Sequence, residues 1–306
     1  MSNIYDLIII GAGPAGITAS VYGARKRMDV IVLTGDIGGQ TAWSGEIENY
    51  TSYQFISGAD LAQKFEKHME NYSIPVRQNE EVETIRKEGN AVVVATAKGE
   101  YRAKTAIIAS GKRSRELGVP GESKFRNKGL TYCATCDGPL FSGKDVVIVG
   151  GGNSALDAGL QLDKIANKIY VVNNMDDLTG DAIMREKLIK SDKVEVFNNA
   201  RVVEVSGDVF VKEVKISVNG EEKTLSAQGV FVEIGLIPNS SFAAGIDKNE
   251  AGEITINLKN ETNMPGIFAC GDVTNVPEKQ IIVAAGEGAK SALTAFRYIS
   301  SSKEDW

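Results

Sequence analysis

The chain has 306 residues, enough for two compact domains with a core each. With 42% hydrophobic and 24% charged residues it has the composition of an ordinary globular protein, and a formal charge of −6 disfavours a nucleic-acid partner. No apolar run approaches the roughly 18 residues that would suggest a membrane span, so no membrane role is expected.

A strand is predicted from Tyr5 to Ile10, almost at the first residue, so no signal peptide is expected and the expected location is the cytoplasm. The β-branched run Leu7-Ile8-Ile9-Ile10 stops at Gly11-Ala12-Gly13-Pro14-Ala15-Gly16, a helix is predicted over Ile17 to Arg27, and a second strand over Val30 to Leu33. That is a βαβ unit with a glycine turn between a buried parallel strand and a helix N-terminus. Glycines there let the backbone approach a pyrophosphate and turn helix amides toward its charge. The segment Thr34-Gly35-Asp36-Ile37-Gly38-Gly39-Gln40 follows at the end of the next strand, with small residues and a polar side chain suited to a bound ribityl chain. The single histidine, His68, lies in a charged helical stretch from Leu61 to Tyr72, too isolated for a zinc site.

Val92–Thr96 and Glu100–Lys104 read as a hairpin, and Ala106-Ile107-Ile108-Ala109 as a strand closing at Ser110-Gly111. Cys133-Ala134-Thr135-Cys136 follows, with Asp137 directly behind it. With three cysteines in all, a reversible dithiol fits better than a disulfide-stapled fold. A Cys-x-x-Cys at a helix N-terminus favours the thiolate and exchange with an external disulfide. Asp137 is the candidate proton shuttle. Cys270, in an apolar strand, reads as inert core.

The first pattern then recurs: Val146-Val147-Ile148-Val149, the glycine run Gly150-Gly151-Gly152-Asn153-Ser154-Ala155, a helix from Ala155 to about Ala166, and a strand over Ile169 to Val172. An internal duplication of two nucleotide-type domains follows. Val209–Val218, a turn at Asn219-Gly220 and a strand over Gly229–Gly235 close the second unit, and Pro238-Asn239 punctuates its end. Ile267-Phe268-Ala269-Cys270 is one more buried strand, leading into Gly271-Asp272, and belongs with the first unit. The reading is α/β, with two Rossmann-like domains of three-layer ββα architecture. The first is discontinuous (1–114 and 241–306) and the second spans 115–240. Two crossings, near Lys112–Leu117 and Pro238–Ser241, make a candidate hinge.

Taken together, Gly11–Gly16, Gly38-Gly39-Gln40, Glu48-Asn49-Tyr50, Cys133–Asp137, Gly150–Ala155, Gly271-Asp272 and Lys279-Gln280-Ile281 resemble the low-molecular-weight thioredoxin reductases over essentially the whole chain. The resemblance implies FAD in the first domain. Its expected contacts are Gly11, Gly13, Pro14, Ala15, Gly16, Thr34, Gly35, Asp36, Gly39, Gln40, Asn49, Val82 (near the adenine), Ala109, Ser110, Gly111, Gly271, Asp272, Lys279, Gln280 and Ile281. It further implies Cys136 facing the flavin, Cys133 attacking the disulfide of thioredoxin, Asp137 as acid–base, and a homodimer whose domains rotate. No metal is expected.

The pattern breaks at the segment after the second βα unit. The family grips the 2′-phosphate of NADPH with an arginine cluster there. Here the segment reads Asn173-Asn174-Met175-Asp176-Asp177-Leu178-Thr179-Gly180, with no basic residue before Arg185. Carboxylates would repel the dianion. The acidic residues suit the ribose hydroxyls of NADH. Alternatively the second domain is a relic and the flavin is reduced by a protein, as in the ferredoxin-dependent flavin thioredoxin reductases, which the chain resembles more closely on this point. Reduced ferredoxin is therefore the expected donor. Lys112-Arg113-Ser114-Arg115 with Arg126 and Lys128, or Arg25-Lys26-Arg27, would form the basic docking patch for an acidic ferredoxin. A peroxidase's flavoprotein partner would be expected to carry an extra N-terminal thioredoxin-like module. Trp306 is a candidate to stack on a flavin.

Overall fold

The computed structural model describes residues 4–44, 46–47 and 49–301; the side chains of Trp43, Glu46 and Thr135 are not described. Glu48 and Trp306, singled out above, lie outside the described residues. The chain divides into two compact units, Met1–Arg113 with Ile237–Trp306, and Ser114–Leu236.

The first unit opens with β1 (Ile4–Ala12), α1 (Pro14–Arg25) and β2 (Val30–Ile37). It continues through α2 (Gly58–Glu70), β3 (Val76–Gln78), β4 (Val82–Glu88), β5 (Ala91–Thr96) and β6 (Gly99–Ile108). β6 is one ten-residue strand where the sequence suggested two. One edge of it pairs parallel with β1; the other pairs antiparallel with β5 and then parallel with a returning strand at Ile267–Ala269. Its two halves serve different neighbours, which is why its pattern looked interrupted. The resulting seven-stranded sheet runs β3-β2-β1-β6-β5-β4, with Ile267–Ala269 added beside β6.

β1 shows why both faces must be covered. Leu7 and Ile9 pack into a core shared with α1, whereas Ile8 and Ile10 pack into a second core with Ile85, Val92 and Val94 of the hairpin. Burying each such side chain is worth about 1.5–3 kcal/mol, so the strand is fixed from both sides.

The second unit repeats the logic. It contains β7 (Leu130–Thr131), α3 (Ala134–Asp137), β8 (Asp145–Val149), α4 (Asn153–Asp163), β9 (Lys168–Val172), α5 (Ala182–Ile189) and β10 (Val194–Phe197). An antiparallel meander follows, β11 (Ala200–Gly207), β12 (Val211–Val218) and β13 (Glu221–Ser226), then β14 (Gly229–Val232). The parallel sheet has the order β7-β14-β8-β9-β10. Val147 and Val149 face the meander, Val146 and Ile148 the helices. β11, a strand of its own before Val209–Val218, is not evident from the sequence. Val209 lies in the connecting turn and is exposed.

The chain then returns to the first unit with β15 (Ile267–Ala269) and the 21-residue α6 (Ile281–Ser301). α6 lies against α1 so closely that a Cβ on Gly288 would fall 2.1 Å from the Ala15 carbonyl oxygen. Among the described residues no helix is long and apolar enough to cross a membrane, and no group of three or more His, Cys, Asp or Glu could hold a metal ion.

Candidate active site

The N-terminal glycine turn is built by backbone contact. Gly11 has φ +103°, and a Cβ there would lie 2.4 Å from the Ala109 carbonyl oxygen; one on Gly16 would lie 1.9 Å from the Gly11 oxygen. Gly13 differs, because a Cβ on it would meet nothing within 4 Å. It is the N-cap of α1, with no side-chain cap, Pro14 in the first turn and no acidic residue there. The helix therefore presents uncapped amides to open space, the donor set a pyrophosphate requires.

Thr34, Gly39, Ala109 and Gly271 meet this turn, and other expected residues lie elsewhere in the same unit. Thr34 is buried, accepts from the Ala12 amide at 3.1 Å and donates to the Asp36 carbonyl, so its hydroxyl ties the end of β2 to the turn. Gly35 faces Glu81, and Asp36 is exposed. A Cβ on Gly39 would lie 3.3 Å from the Gly13 Cα. The Gln40 amide donates to the Lys112 carbonyl. Ala109 donates to the Ile10 carbonyl, Ser110 donates to the Asn239 carbonyl at 2.6 Å, and Gly111 has φ +66°. Gly271 (φ +72°) sits against Ala15. Asn49 donates to Gln280 Oε1 at 3.0 Å, joining residues far apart in sequence. Ile281 packs beside Ile47, Ile56 and Leu61, and Val82 packs on the core of the hairpin face.

One cluster escaped sequence reading. Glu253 pairs with both Lys112 and Lys279, the latter at 3.1 Å, and all three side chains are largely buried. Burial pushes the Glu253 carboxyl up, but hydrogen bonds from Lys112, Asn249 and Lys279 outweigh it and bring it to about 2. Burial pushes Asp272 up and Lys279 down, each opposed by charges of the same cluster. Lys112, expected on an exposed docking patch, is thus a buried charge committed to Glu253. Arg126 also departs from that patch, paired with Glu116 at 2.7 Å and Tyr132 at 3.0 Å. Arg113, Arg115 and Lys128 are exposed, as are Arg25, Lys26 and Arg27.

In the second unit Cys133 and Cys136 form a disulfide. Cys133 is the N-cap of α3, its Sγ accepting from the Cys136 amide at 3.2 Å. Asp137 is buried at the other end of that turn and accepts a hydrogen bond from the Thr131 hydroxyl. The same hydroxyl accepts from the Cys133 amide at 3.2 Å, so Thr131 links both chemical groups. Nothing in the sequence distinguishes this threonine from its neighbours. Cys270 is fully buried, which pushes its thiol up.

The second glycine turn keeps its form: Gly150 has φ +136°, and Gly152 caps α4 without a side-chain cap and with open space before it. The segment after β9 folds back on the turn, with Thr179 and Gly180 amides donating to the Gly151 carbonyl. Asp176 and Asp177 are exposed there, and Arg185 is held by Asp177 at 2.9 Å and by the Leu178 carbonyl at 3.1 Å.

A helix-capping disulfide beside a buried acid, in a two-unit nucleotide-type fold with an open dinucleotide turn, defines a flavoprotein of the disulfide-oxidoreductase class. The chain belongs to the family described as pyridine nucleotide-disulphide oxidoreductase, whose model matches residues 5–288. FAD is its cofactor, and the open turn at Gly13 fits that group. The chain is 39% identical to a component of alkyl hydroperoxide reductase from Escherichia coli (strain K12), over 98% of this chain and 59% of that protein. It is 38% identical to a NADH dehydrogenase of Bacillus subtilis (strain 168), over 96% of this chain and 58% of that one. It thus spans just under three fifths of these two curated relatives. Thioredoxin reductase from Streptococcus pyogenes MGAS5005 matches with TM-score 0.91 and 35% identity, over 99% of this chain and all of that one. A ferredoxin-flavin thioredoxin reductase from Clostridium acetobutylicum matches with TM-score 0.54 and 32% identity, over 99% of this chain and all of that one.

Proposed function

We propose that the protein is a flavin-dependent reductase of thioredoxin-type disulfides. The observation that carries this reading is the Cys133–Cys136 disulfide on the first turn of α3, tied through Thr131 to the buried carboxyl of Asp137. Cytoplasmic thioredoxin is the partner, and the working form is a homodimer.

FAD, when bound, supplies a two-electron relay between a donor and the protein disulfide. Gly11, Gly13, Pro14, Ala15 and Gly16 would hold its pyrophosphate. Thr34, Gly35, Asp36, Gly39, Gln40, Asn49, Val82, Ala109, Ser110, Gly111, Gly271, Asp272, Lys279, Gln280 and Ile281 would complete its site. In the reduced protein the Cys133 thiolate, favoured by the helix amides, attacks one sulfur of the partner's disulfide and releases the other as a thiolate. Cys136 then attacks the mixed disulfide at Cys133, which restores the Cys133–Cys136 bond and frees the partner as a dithiol. Asp137 takes the Cys136 proton and returns it to the departing sulfur, and the thiolate released first takes its proton from solvent.

For the donor, the loop after β9 disfavours NADPH, since Arg185 is engaged by Asp177 and two carboxylates stand exposed. NADH is the reading best supported: Gly150 and Gly152 keep an open phosphate turn, an acidic loop suits unphosphorylated ribose hydroxyls, and the NADH dehydrogenase relative is 38% identical. Reduced ferredoxin is the second reading, supported by the clostridial structure and by the exposed Arg113, Arg115 and Arg25–Arg27. Anaerobic titration of the FAD-loaded protein with NADH, NADPH and reduced ferredoxin in parallel separates them. Rapid stoichiometric bleaching by NADH alone is expected; bleaching by ferredoxin alone transfers the assignment, and rapid bleaching by NADPH overturns both.

A further inference from the structure

Glu233, the residue after β14, stands on the redox turn. Its Oε1 accepts the amide of Ala134 at 3.2 Å, and Ala134 lies between the two cysteines in sequence. Its backbone is fixed as well. The Glu233 amide donates to the Val149 carbonyl at 2.8 Å, and a Cβ on Gly150 would lie 2.4 Å from the Glu233 carbonyl oxygen. The strand end that shapes the second glycine turn therefore also delivers a carboxylate to the dithiol. Cys133 Sγ occupies the start of the same four-residue helix.

We propose that Glu233 is a positioning residue for the dithiol, holding the Cys133–Cys136 turn through Ala134 and setting through its own charge how readily the reduced Cys133 ionises. The inference rests on the reading of Cys133 and Cys136 as a working redox pair. Helix amides favour a thiolate at Cys133, whereas an ionised carboxylate on the same turn opposes it. Reduction of the disulfide takes two electrons and one proton to give a thiolate and a thiol. A second proton then resides on Glu233 and not on sulfur, which lets Cys133 remain a thiolate near neutrality. In the test the electrons come from a dithiol reductant.

Burial lifts the Glu233 carboxyl to about 7, the Ala134 amide opposing this and Asp157 adding to it. Asp157 on α4 is the charged group that acts on it, and Arg115 lies beside the same strand end, its amide donating to the Gly235 carbonyl at 3.0 Å. No cation is among the groups that shift the Glu233 carboxyl.

The experiment uses the full chain reduced with dithiothreitol and desalted anaerobically. Iodoacetamide alkylation rates are followed from pH 5 to 9, with peptide mapping to separate Cys133 from Cys136. The wild type is expected to show two steps, one of them from Glu233 and above the ordinary carboxylate range. Glu233→Gln keeps an acceptor for Ala134 and removes the charge; one step should remain, with alkylation of Cys133 at pH 7.5 at least threefold faster. Glu233→Asp should restore the two-step profile. Asp157→Asn, an exposed substitution that leaves the fold alone, should move the first step to lower pH. If Glu233→Gln folds and its profile superimposes on the wild type, the proposal is wrong. If it does not fold, an unmoved step in Asp157→Asn overturns it equally. Thioredoxin, NADH, NADPH and ferredoxin do not enter the measurement, so failure to turn over thioredoxin would sink the function above and leave this result standing.

Discussion

The guanidinium of Arg185 lies 2.9 Å from the carboxylate of Asp177, eight residues earlier, so the first basic residue beyond β9 is turned back on its own loop. Arg185 is one-third exposed and Asp177 two-thirds, so the pair contributes less than about 1 kcal/mol and can be removed cheaply. Asp176→Arg with Asp177→Arg should free Arg185 and add two cations facing solvent. Charge-assisted bonds to phosphate are worth about 1.5–3 kcal/mol each, so the KM for NADPH should fall at least tenfold, while that for NADH should rise as the carboxylates that suit its ribose hydroxyls are lost. An unchanged NADPH KM would show that this loop does not meet the ribose.

Two glycines of the first turn separate fold from cofactor. Gly11→Ala places a Cβ 2.4 Å from a backbone oxygen at φ +103°, so it should cost more than about 2 kcal/mol of stability with or without FAD. Gly13 has φ −78° and open space before it. Gly13→Ala should leave the melting temperature of the FAD-free protein within about 2 °C yet weaken FAD retention at least tenfold. Flavin absorbance per chain after gel filtration checks both. If Gly13→Ala keeps full flavin, the pyrophosphate does not lie against this turn.

Much of this was legible because the informative residues are backbone-determined. Gly11, Gly16 and Gly150 mark close approaches of main chain, and β-branched runs buried on both faces mark parallel strands. Cys133 and Cys136 announce their chemistry by spacing. What stayed hidden depends on contacts between residues distant in sequence. Glu253 meets Lys112 across 141 positions, and Lys112 looked like part of a solvated basic run until that buried partner appeared. β6 looked like two strands because its two halves answer to different neighbours. Thr131 is an ordinary strand residue until the fold sets its hydroxyl between Cys133 and Asp137.

The Glu253 cluster predicts an acid limit. Its folded pKa of about 2 lies below the ordinary 4.5, so its stabilising contribution is complete above pH 4.5 and is lost as pH falls toward 2. At 1.36 kcal/mol per unit this is on the order of 3 kcal/mol. Glu253→Gln should flatten the stability decline between pH 4.5 and 2. It should also destabilise the protein at pH 7 by roughly 3–5 kcal/mol, since Lys112 and Lys279 lose their counter-charge. Urea unfolding across that pH range reads both effects. Parallel pH curves for the two proteins would dismiss Glu253 as the titrating group.

Thr131 offers a test of the proton path that leaves the cysteines untouched. Its hydroxyl donates to Asp137 and accepts from the Cys133 amide, so Thr131→Val removes a donor and an acceptor at constant shape. Each bond to a charged or buried group is worth about 1–3 kcal/mol, so turnover with a thioredoxin disulfide should fall 10–100-fold while flavin content and donor bleaching persist. Asp137→Asn should cost more, because it removes the acid itself. If Thr131 acts by holding Asp137, the double variant should be no slower than Asp137→Asn alone, as expected for residues serving one function. Additive losses in kcat would instead assign Thr131 a separate part in shaping the cysteine turn.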